Sequence, residues 1–210
     1  MKAVVFCGSP RKNGNTEILC SHALKAIEEE GLETELIRLR DYEIKGCTAC
    51  DACMKEEMCT IKDDLMPLYE KMKAADAVIL ASPVYVFSAT PEIKALIDRT
   101  TYISHWNGKT LAGKVGGPIV VARRAGTSFT MVQLAMWYWI NDCFMCGSTY
   151  WNIAYGGHTE GDVKKDAEGF RTMWNFGKNV AFLVKKLNDV PGTGAFKDVP
   201  KMDEPQEKKA

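Results

Sequence analysis

Three segments of the chain are continuously apolar and rich in β-prone residues. They are Ala3–Cys7, Ala77–Ala81 and Gly116–Ala122. Runs without polar alternation are typical of strands that are covered on both faces, as in a parallel sheet. Each run leads into a polar turn, and residues with a helical pattern follow. The sequence therefore predicts an α/β fold with a doubly wound parallel sheet.

Two weaker segments complete the predicted sheet. Glu33–Leu39 alternates imperfectly and carries charge, which is typical of an edge strand, and Thr149–Ile153 is the fifth strand. The order 2-1-3-4-5 places the turns after strands 1, 3 and 4 at the edge where ligands bind. We expect one domain over residues 1–188 of the 210, with a last helix at about 165–187 and a flexible tail at 189–210.

The charge balance excludes some classes of partner. Lys and Arg together number 27, as do Asp and Glu, so neither nucleic acid nor a membrane surface is indicated as a partner. No segment has the length of a transmembrane helix or the pattern of a signal peptide, so we expect a cytoplasmic protein. In that reducing compartment, the eight cysteines indicate metal ligands and buried thiols instead of a disulfide framework.

The turn after the first strand has the composition of an anion site. It runs from Gly8 to Thr16 and leads into a helix, so unpaired backbone N–H groups and the positive end of the helix dipole face its occupant. The turn matches neither the Walker A motif nor the G-x-G-x-x-G dinucleotide fingerprint. The remaining candidate ligand for this turn is a single phosphomonoester such as that of FMN. The alternative interpretation is an ordinary turn that binds nothing. The candidate phosphate donors are Ser9, Arg11, Asn13, Asn15 and Thr16.

The turns after the third and fourth strands supply candidate contacts to a flat ring. Tyr85 and Phe87 can stack on such a ring while the loop backbone hydrogen-bonds its edge; alternatively, both pack the loop against the core. Two arginines follow Ala122 and either contact a phosphate, a ring edge or an acidic partner, or stay solvated. The candidate cofactor-binding residues in these turns are Pro83, Val84, Tyr85, Val86, Phe87, Ser88, Arg123 and Arg124.

The most specific motif lies at residues 46–60, after the second strand. Four cysteines follow the spacing C-x2-C-x2-C-x5-C, which allows four thiolates to close around one iron-sulfur cluster. Structural zinc sites usually combine two C-x-x-C pairs about 12 to 20 residues apart, and this motif has no such gap. We expect a 4Fe-4S cluster, with zinc or a redox or inert thiol cluster as alternatives. The predicted metal ligands are Cys47, Cys50, Cys53 and Cys59.

Two further features fall outside the predicted cofactor sites. Met136–Ile140 is apolar around its whole helical circumference, so it lies in the core or at a subunit interface, and its aromatic and methionine content favours the interface. Cys143 and Cys146 form another C-x-x-C pair, which we interpret as buried thiols because no second pair is near. The three histidines occur in unlike contexts, so we predict neither a histidine metal site nor a catalytic side chain.

Together these motifs resemble the iron-sulfur flavoprotein family within the flavodoxin-like, NAD(P)H-dependent FMN reductases. The resemblance covers residues 1 to about 187 and includes the four-cysteine motif and the segments Gly8–Arg11, Gly14–Thr16, Ser82–Tyr85 and Pro91–Arg99. It implies a flavodoxin-like fold with the FMN phosphate in the first turn, the isoalloxazine at the loop after Pro83, and a 4Fe-4S cluster on the four cysteines. The third turn, Arg123–Gly126, differs from the Asn-Gly-Gly-like turn of many members.

The resemblance also implies a function. Such proteins are oxidoreductases that pass electrons between a ferredoxin-type or NAD(P)H donor and a small acceptor such as oxygen, peroxide or a quinone. It further implies a homodimer or homotetramer in which the cluster of one subunit approaches the FMN of another. Two alternatives remain open. One is an NAD(P)H-dependent FMN or quinone reductase without a cluster, and the other is a non-catalytic flavodoxin-like carrier or binding protein with structural zinc.

Overall fold

The computed structural model of the chain describes residues 1–189. The predicted tail lies outside these residues, apart from Asp189. The strands of the described part are β1 Lys2–Cys7, β2 Glu33–Arg38, β3 Ala77–Pro83, β4 Val115–Ala122, β5 Phe144–Met145 and β6 Ile153–Tyr155. Its α-helices are α1 Asn15–Glu29, α2 Leu65–Ala74, α3 Pro91–Trp106, α4 Thr127–Ile140 and α5 Ala167–Asp189.

The predicted doubly wound parallel sheet is confirmed. Its strands run in the order β2-β1-β3-β4-β5, and β6 pairs with β4. Val5 in the middle of β1 pairs with Leu36 of β2 and Ile79 of β3. Since all of these pairings are parallel, the turns after β1, β3, β4 and β6 meet at one edge of the sheet, and the cysteine segment after β2 lies at the same edge.

The fifth strand differs from the prediction. Instead of one strand at Thr149–Ile153, two short segments pair with different parts of β4: Phe144 lies beside Val115, and Ile153 lies beside Val120. The chain leaves the sheet after Cys146, whose backbone N–H still donates to Gly116 O at 2.7 Å. The β-prone residues 149–151 lie in the connection between β5 and β6. As a result, β6 leads directly into a glycine-rich loop at the ligand edge.

Each face of the sheet carries its own apolar core. Val5 and Ile79 pack with residues of α1 and α5, whereas Phe6 and Leu80 pack with α2, α3 and α4. Burial of each such large side chain contributes roughly 1.5–3 kcal/mol. The helices thereby fix the loops at their ends relative to the sheet.

Tyr138 anchors α4 to the sheet. Its buried hydroxyl donates to Val78 O at 3.0 Å and accepts from Leu80 N at 3.0 Å. This approach requires Gly116, because a Cβ there would lie 2.9 Å from the Tyr138 ring and 1.8 Å from Val78 O.

Helix α4 nevertheless leaves a row of large apolar side chains exposed, namely Phe129, Val132, Met136, Trp139 and Ile140. Neither α4 nor any other helix within residues 1–189 is both long and apolar enough to span a bilayer.

Candidate functional site

The predicted turns come together around one cleft at the carboxyl edge of the sheet. The cleft has about 730 Å³ of empty space. It is bounded by the turn after β1, the loop after β3, the end of β4 and the loop after β6. Its lining residues are Ser9, Arg11, Asn15, Thr16, Pro83, Val84, Tyr85, Val121, Ala122, Arg123, Gly156, Gly157 and His158.

The structure separates the predicted contact residues into two groups. Eight of them line the cleft, and five do not: Asn13, Val86, Phe87, Ser88 and Arg124. The backbone N–H of Asn13 donates to Glu17 Oε2 at 3.1 Å, so this amide of the first turn already has a partner. Arg124 is exposed. The phosphate donors of the turn that face the cleft are therefore fewer than its composition indicates.

Glu17 fixes the backbone of the turn after β1 through two arginines. It lies buried in the first turn of α1 and accepts from Arg38 Nε at 2.7 Å and Arg40 Nη1 at 2.8 Å. Arg40 Nη1 also donates to Arg11 O at 3.0 Å. Burial raises the pKa of Glu17, but the hydrogen bonds from Arg38 and Arg40 outweigh it and leave the pKa below its ordinary value. The carboxylate therefore stays charged and fixes the backbone of the turn.

The loop at residues 156–161 closes the cleft and was not among the predicted site residues. Asn15 Nδ2 donates to Gly157 O and Thr159 O, both at 3.2 Å, and Arg11 Nη1 donates to His158 O at 3.2 Å. Asn15 thus holds a neighbouring loop, although its position in the turn predicted a phosphate contact. In the sequence, the signal for this part of the site is the pair of adjacent glycines after a strand. The structure explains the first of them, because a Cβ on Gly156 would lie 2.8 Å from Asn15 Nδ2.

The loop after β3 ends in a tight turn with unusual backbone angles. Tyr85 and Ser88 exchange two backbone hydrogen bonds, of 2.8 and 3.0 Å. Between them, Val86 and Phe87 adopt φ values of 44° and 69°, which are strained for such side chains. Helix α4 supports the turn, because Gln133 Oε1 accepts from Ser88 Oγ and from Ala89 N, each at 2.9 Å. The side chain of Val86 is 91% exposed, so the turn presents apolar surface to solvent.

A buried threonine connects the first turn to the loop after β3. Thr90 Oγ1 donates to Gly8 O at 2.8 Å, and Thr90 N donates to Ser82 Oγ at 3.0 Å. Gly8 permits this contact, because a Cβ there would lie 2.7 Å from Thr90 Oγ1. The two walls of the cleft are thereby held together through backbone and buried side chains.

The mouth of the cleft carries positive charge. Arg11 and Arg123 both line it, and Arg123 Nη1 lies 3.4 Å from His158 Nε2. Guanidinium groups bind phosphate and other anions through charge-assisted hydrogen bonds. With the N-terminus of α1 at the same place, the cleft suits a ligand that has a phosphate and an uncharged body.

The four cysteines of the C-x2-C-x2-C-x5-C motif line a second, smaller pocket at the β2 side of the same edge. It also contains Arg99, Tyr102 and Ile103 of α3. Cys53 and Cys59 are partly buried and pack against the core, whereas Cys47 and Cys50 are exposed. Within residues 1–189, no three His, Cys, Asp or Glu side chains are arranged to hold one metal ion.

The ends of the cysteine loop are fixed to the fold by a buried ion pair. Asp63 follows the loop and pairs with Arg99 of α3; the side chains of both are essentially buried. Asp63 also accepts from Lys45 N at 2.8 Å and Leu65 N at 3.2 Å, and Arg99 Nη1 donates to Lys45 O at 2.9 Å. The segments before Cys47 and after Cys59 thus meet at one point.

The other C-x-x-C pair lies apart from both pockets. Cys146 is buried and Cys143 is partly buried, and burial raises the pKa of each thiol to about 12. Thiols with such pKa values are poor nucleophiles and poor metal ligands at neutral pH. This agrees with the interpretation of Cys143 and Cys146 as buried thiols.

Comparisons with known proteins point to one family. The model of the family described as NADPH-dependent FMN reductase matches residues 1–158. The chain is 40% identical over 193 residues to an iron-sulfur flavoprotein of Methanocaldococcus jannaschii, covering 89% of this chain and 99% of the relative. It is 35% identical over 192 residues to the iron-sulfur flavoprotein of Methanosarcina thermophila, covering 90% and 95% of the two chains.

Solved structures share the fold. RosB with bound 8-demethyl-8-formylriboflavin-5′-phosphate superposes with a TM-score of 0.73 at 19% identity, covering 100% of this chain and 93% of that one. An NAD(P)H:(acceptor) oxidoreductase of Paracoccus denitrificans superposes with a TM-score of 0.66 at 18% identity, covering 88% and 97%. Identities this low support the flavodoxin-like architecture alone.

Proposed function

The chain belongs to the iron-sulfur flavoproteins of the NADPH-dependent FMN reductase family and is a flavin-dependent oxidoreductase, and we propose that it uses FMN together with a 4Fe-4S cluster. The observation that carries this proposal is the pair of pockets at one edge of the sheet. One has phosphate donors and a loop suited to a flat ring, and the other is lined by four thiols.

The cleft fits FMN through the chain's own donors. Arg11, Ser9 and Thr16 lie at the N-terminus of α1, where a phosphomonoester gains both the helix dipole and a charge-assisted hydrogen bond. Val84 and Tyr85 form the wall against which the isoalloxazine would lie, and Arg123, which lines the same cleft, would contact its edge. FMN, when bound, supplies the two-electron chemistry. The side chains bind and orient it, and we assign none of them a proton-transfer role.

The cysteine pocket offers the donor set that a 4Fe-4S cluster requires. Each thiolate of such a cluster binds its own iron, so four thiolates around one group are needed. The four cysteines of the C-x2-C-x2-C-x5-C motif all line this pocket, which supports the cluster. When bound, it supplies one-electron transfer.

The family resemblance supports a ferredoxin-type or NAD(P)H donor and a small acceptor such as oxygen, peroxide or a quinone. The exposed row on α4 supports a homodimer or homotetramer. Trp139 is 57% exposed and Met136 is 54% exposed, and contiguous apolar surface of this kind marks protein interfaces. Replacing Trp139 with a charged residue should shift the protein toward the monomer in analytical ultracentrifugation, whereas an unchanged sedimentation coefficient would exclude this face.

The function is tested on protein purified under anaerobic conditions. Iron, sulfide, zinc and FMN are quantified, and the visible spectrum is recorded. We expect about four irons and four sulfides per chain, one FMN, and broad absorbance beneath the flavin bands. FMN with neither iron nor zinc would indicate a reductase without a cluster. Zinc with little iron would indicate a structural metal instead.

A further inference from the structure

We propose that Arg99 is a positioning residue of the cysteine pocket that donates hydrogen bonds to the bound cluster and raises its reduction potential. This inference rests on the proposed function, since it requires the four cysteines to hold the cluster. It assigns to one residue of α3 a role toward the cluster that is separate from its structural role in fixing the loop.

The first observation is a direct contact with a predicted ligand. Arg99 Nη2 lies 3.0 Å from Cys59 Sγ, and its geometry is that of a donor to the sulfur. Arg99 is only 2% exposed and lines the pocket together with all four cysteines. A guanidinium remains charged under all ordinary conditions, so Cys59 faces a permanent cation that is shielded from water.

The second observation is that the guanidinium cannot turn away. Nη1 donates to Lys45 O at 2.9 Å and to Asp63, and Nη2 donates to Asp63 Oδ1 at 3.1 Å as well as to Cys59. Bidentate pairing with a buried carboxylate fixes the plane of the guanidinium. A lysine at this position would keep the charge but could not reproduce these bonds from one planar group.

The third observation is a donor without an acceptor. Arg99 Nε is buried and has no hydrogen-bond partner among residues 1–189. Buried donors are almost always satisfied, and an exception requires an explanation such as a missing ligand. The sulfur atoms of a cluster held by the four cysteines are acceptors of the right kind. Arg99 therefore has one donor already on a ligand sulfur and a second one that is free for the cluster.

The consequence for the cluster follows from its charge. Reduction adds one negative charge, and a nearby cation stabilises the reduced form more than the oxidised form, especially where water is excluded. Hydrogen bonds to the sulfurs act in the same direction, and they are an established way in which proteins set cluster potentials. Asp63 opposes this effect, but the guanidinium contacts Cys59 directly. The net effect of Arg99 is a higher potential.

The experiment measures the midpoint potential of the cluster by a redox titration followed by EPR. Arg99→Lys keeps the charge without the planar fork. The double variant Asp63→Asn/Arg99→Gln removes both buried charges, so that Asp63 is not left unpaired. We expect the potential to become more negative in both variants at the wild-type iron content. The matched control is Lys94→Gln, which removes an exposed cation paired with Asp98 on the same helix and should leave the potential unchanged.

A measurement on the wild-type protein covers the case in which these variants do not load iron. With arginine labelled by ¹⁵N, pulsed EPR of the reduced cluster should detect a hyperfine coupling to an arginine nitrogen. Lack of that coupling, or iron-loaded variants with the wild-type potential, would reduce Arg99 to a structural role and overturn the inference. Wild-type protein that contains FMN but no iron would instead contradict the proposed function, so the two failures are distinguishable.

Discussion

The cleft and the cysteine pocket lie at the same edge of the sheet but are held in different ways. The cleft is built from four segments that bond to one another over long sequence separations. Thr90 bonds to Gly8, Asn15 bonds to Gly157, and Arg11 bonds to His158. Each of these contacts goes to a backbone carbonyl of the fold, from the buried Thr90, the half-buried Asn15 and the exposed Arg11, so the cleft has its form without a ligand.

The cysteine loop is attached to the fold mainly through its second half. Asp63 and Arg99 fix its ends, Cys53 O accepts from Asn107 Nδ2 at 2.8 Å, Cys59 Sγ accepts from Arg99 Nη2 at 3.0 Å, and Glu57 accepts from Tyr69 at 3.0 Å and pairs with Lys73. Between these points its backbone has one 3₁₀ turn, Ala52–Met54, and left-handed residues at Ala49 and Asp51. The difference indicates that the cleft belongs to the fold, whereas the proposed cluster, when bound, would help to fix the form of the loop.

One helix joins the two sites. Helix α3 begins beside the cleft at Pro91 and reaches the cysteine pocket at Arg99, which is about 12 Å further along its axis at 1.5 Å per residue. Because the cleft and the cysteine pocket share no lining residue, we expect the cleft to keep its walls whether or not the cysteine pocket holds a ligand. The following changes test that independence, from the largest expected effect to the smallest.

Cys53→Ala should abolish iron binding and leave most of the FMN in place. It removes one thiolate of the pocket, whereas no residue of the cysteine loop lines the cleft. Iron and FMN are quantified after anaerobic purification. Cys143→Ser is the control, because that thiol lies outside the pocket and should leave about four irons per chain. If Cys53→Ala keeps its iron, the cluster assignment is wrong.

The two sites also differ in how far their sequence predicts them. The three buried strands could be predicted to within one or two residues because their apolar runs are continuous. The four cysteines share a pocket because they are close in sequence. The role of Asn15 could not be predicted, since its bonds go to a loop more than 140 residues away. Arg99 follows Asp98 in a helical pattern that suits a surface residue, and only the packing of α3 buries it.

Arg11→Ala should weaken FMN binding by about 10- to 100-fold and leave the iron content unchanged. A hydrogen bond to a charged group is worth about 1.5–3 kcal/mol, and about 1.4 kcal/mol corresponds to a factor of ten. The dissociation constant is measured by flavin fluorescence quenching with the FMN-free protein. Arg171→Ala, which removes an exposed arginine from α5, should bind FMN as the wild type does. Loss of iron in Arg11→Ala would contradict the independence of the two sites.

Glu17→Gln should destabilise the FMN-free protein by about 1–3 kcal/mol at pH 7, because it removes the charge that pairs with Arg38 and Arg40. The pKa of Glu17 is depressed in the folded state, so its contribution is fully present above its ordinary value of 4.5 and is lost as the pH falls through the folded pKa below it. Urea unfolding of both proteins at pH 7 and at low pH should show the difference shrinking in acid. A difference that grows in acid would contradict this assignment.

Asn107→Ala should have the smallest effect, a loss of iron to a chelator that is faster by about fivefold. It deletes the neutral hydrogen bond to the carbonyl of Cys53, worth about 1 kcal/mol, together with the one from the same amide to Ile103 O of α3. FMN should be retained as in the wild type. The control is Asn188→Ala, which removes a hydrogen bond within α5 instead. Equal chelation rates in the two variants would show that Asn107 does not support the loop.

The most direct test of the two-site account removes each cofactor in turn from the anaerobically purified protein and measures the other. A chelator with a reductant extracts iron, and anaerobic dialysis against high salt at neutral pH, where the cluster is not attacked by acid, extracts FMN. We predict that the iron-depleted protein keeps one FMN per chain and that the FMN-depleted protein keeps about four irons. Release of both cofactors by either treatment would contradict the account, because it would mean that the cleft and the cysteine pocket form a single site.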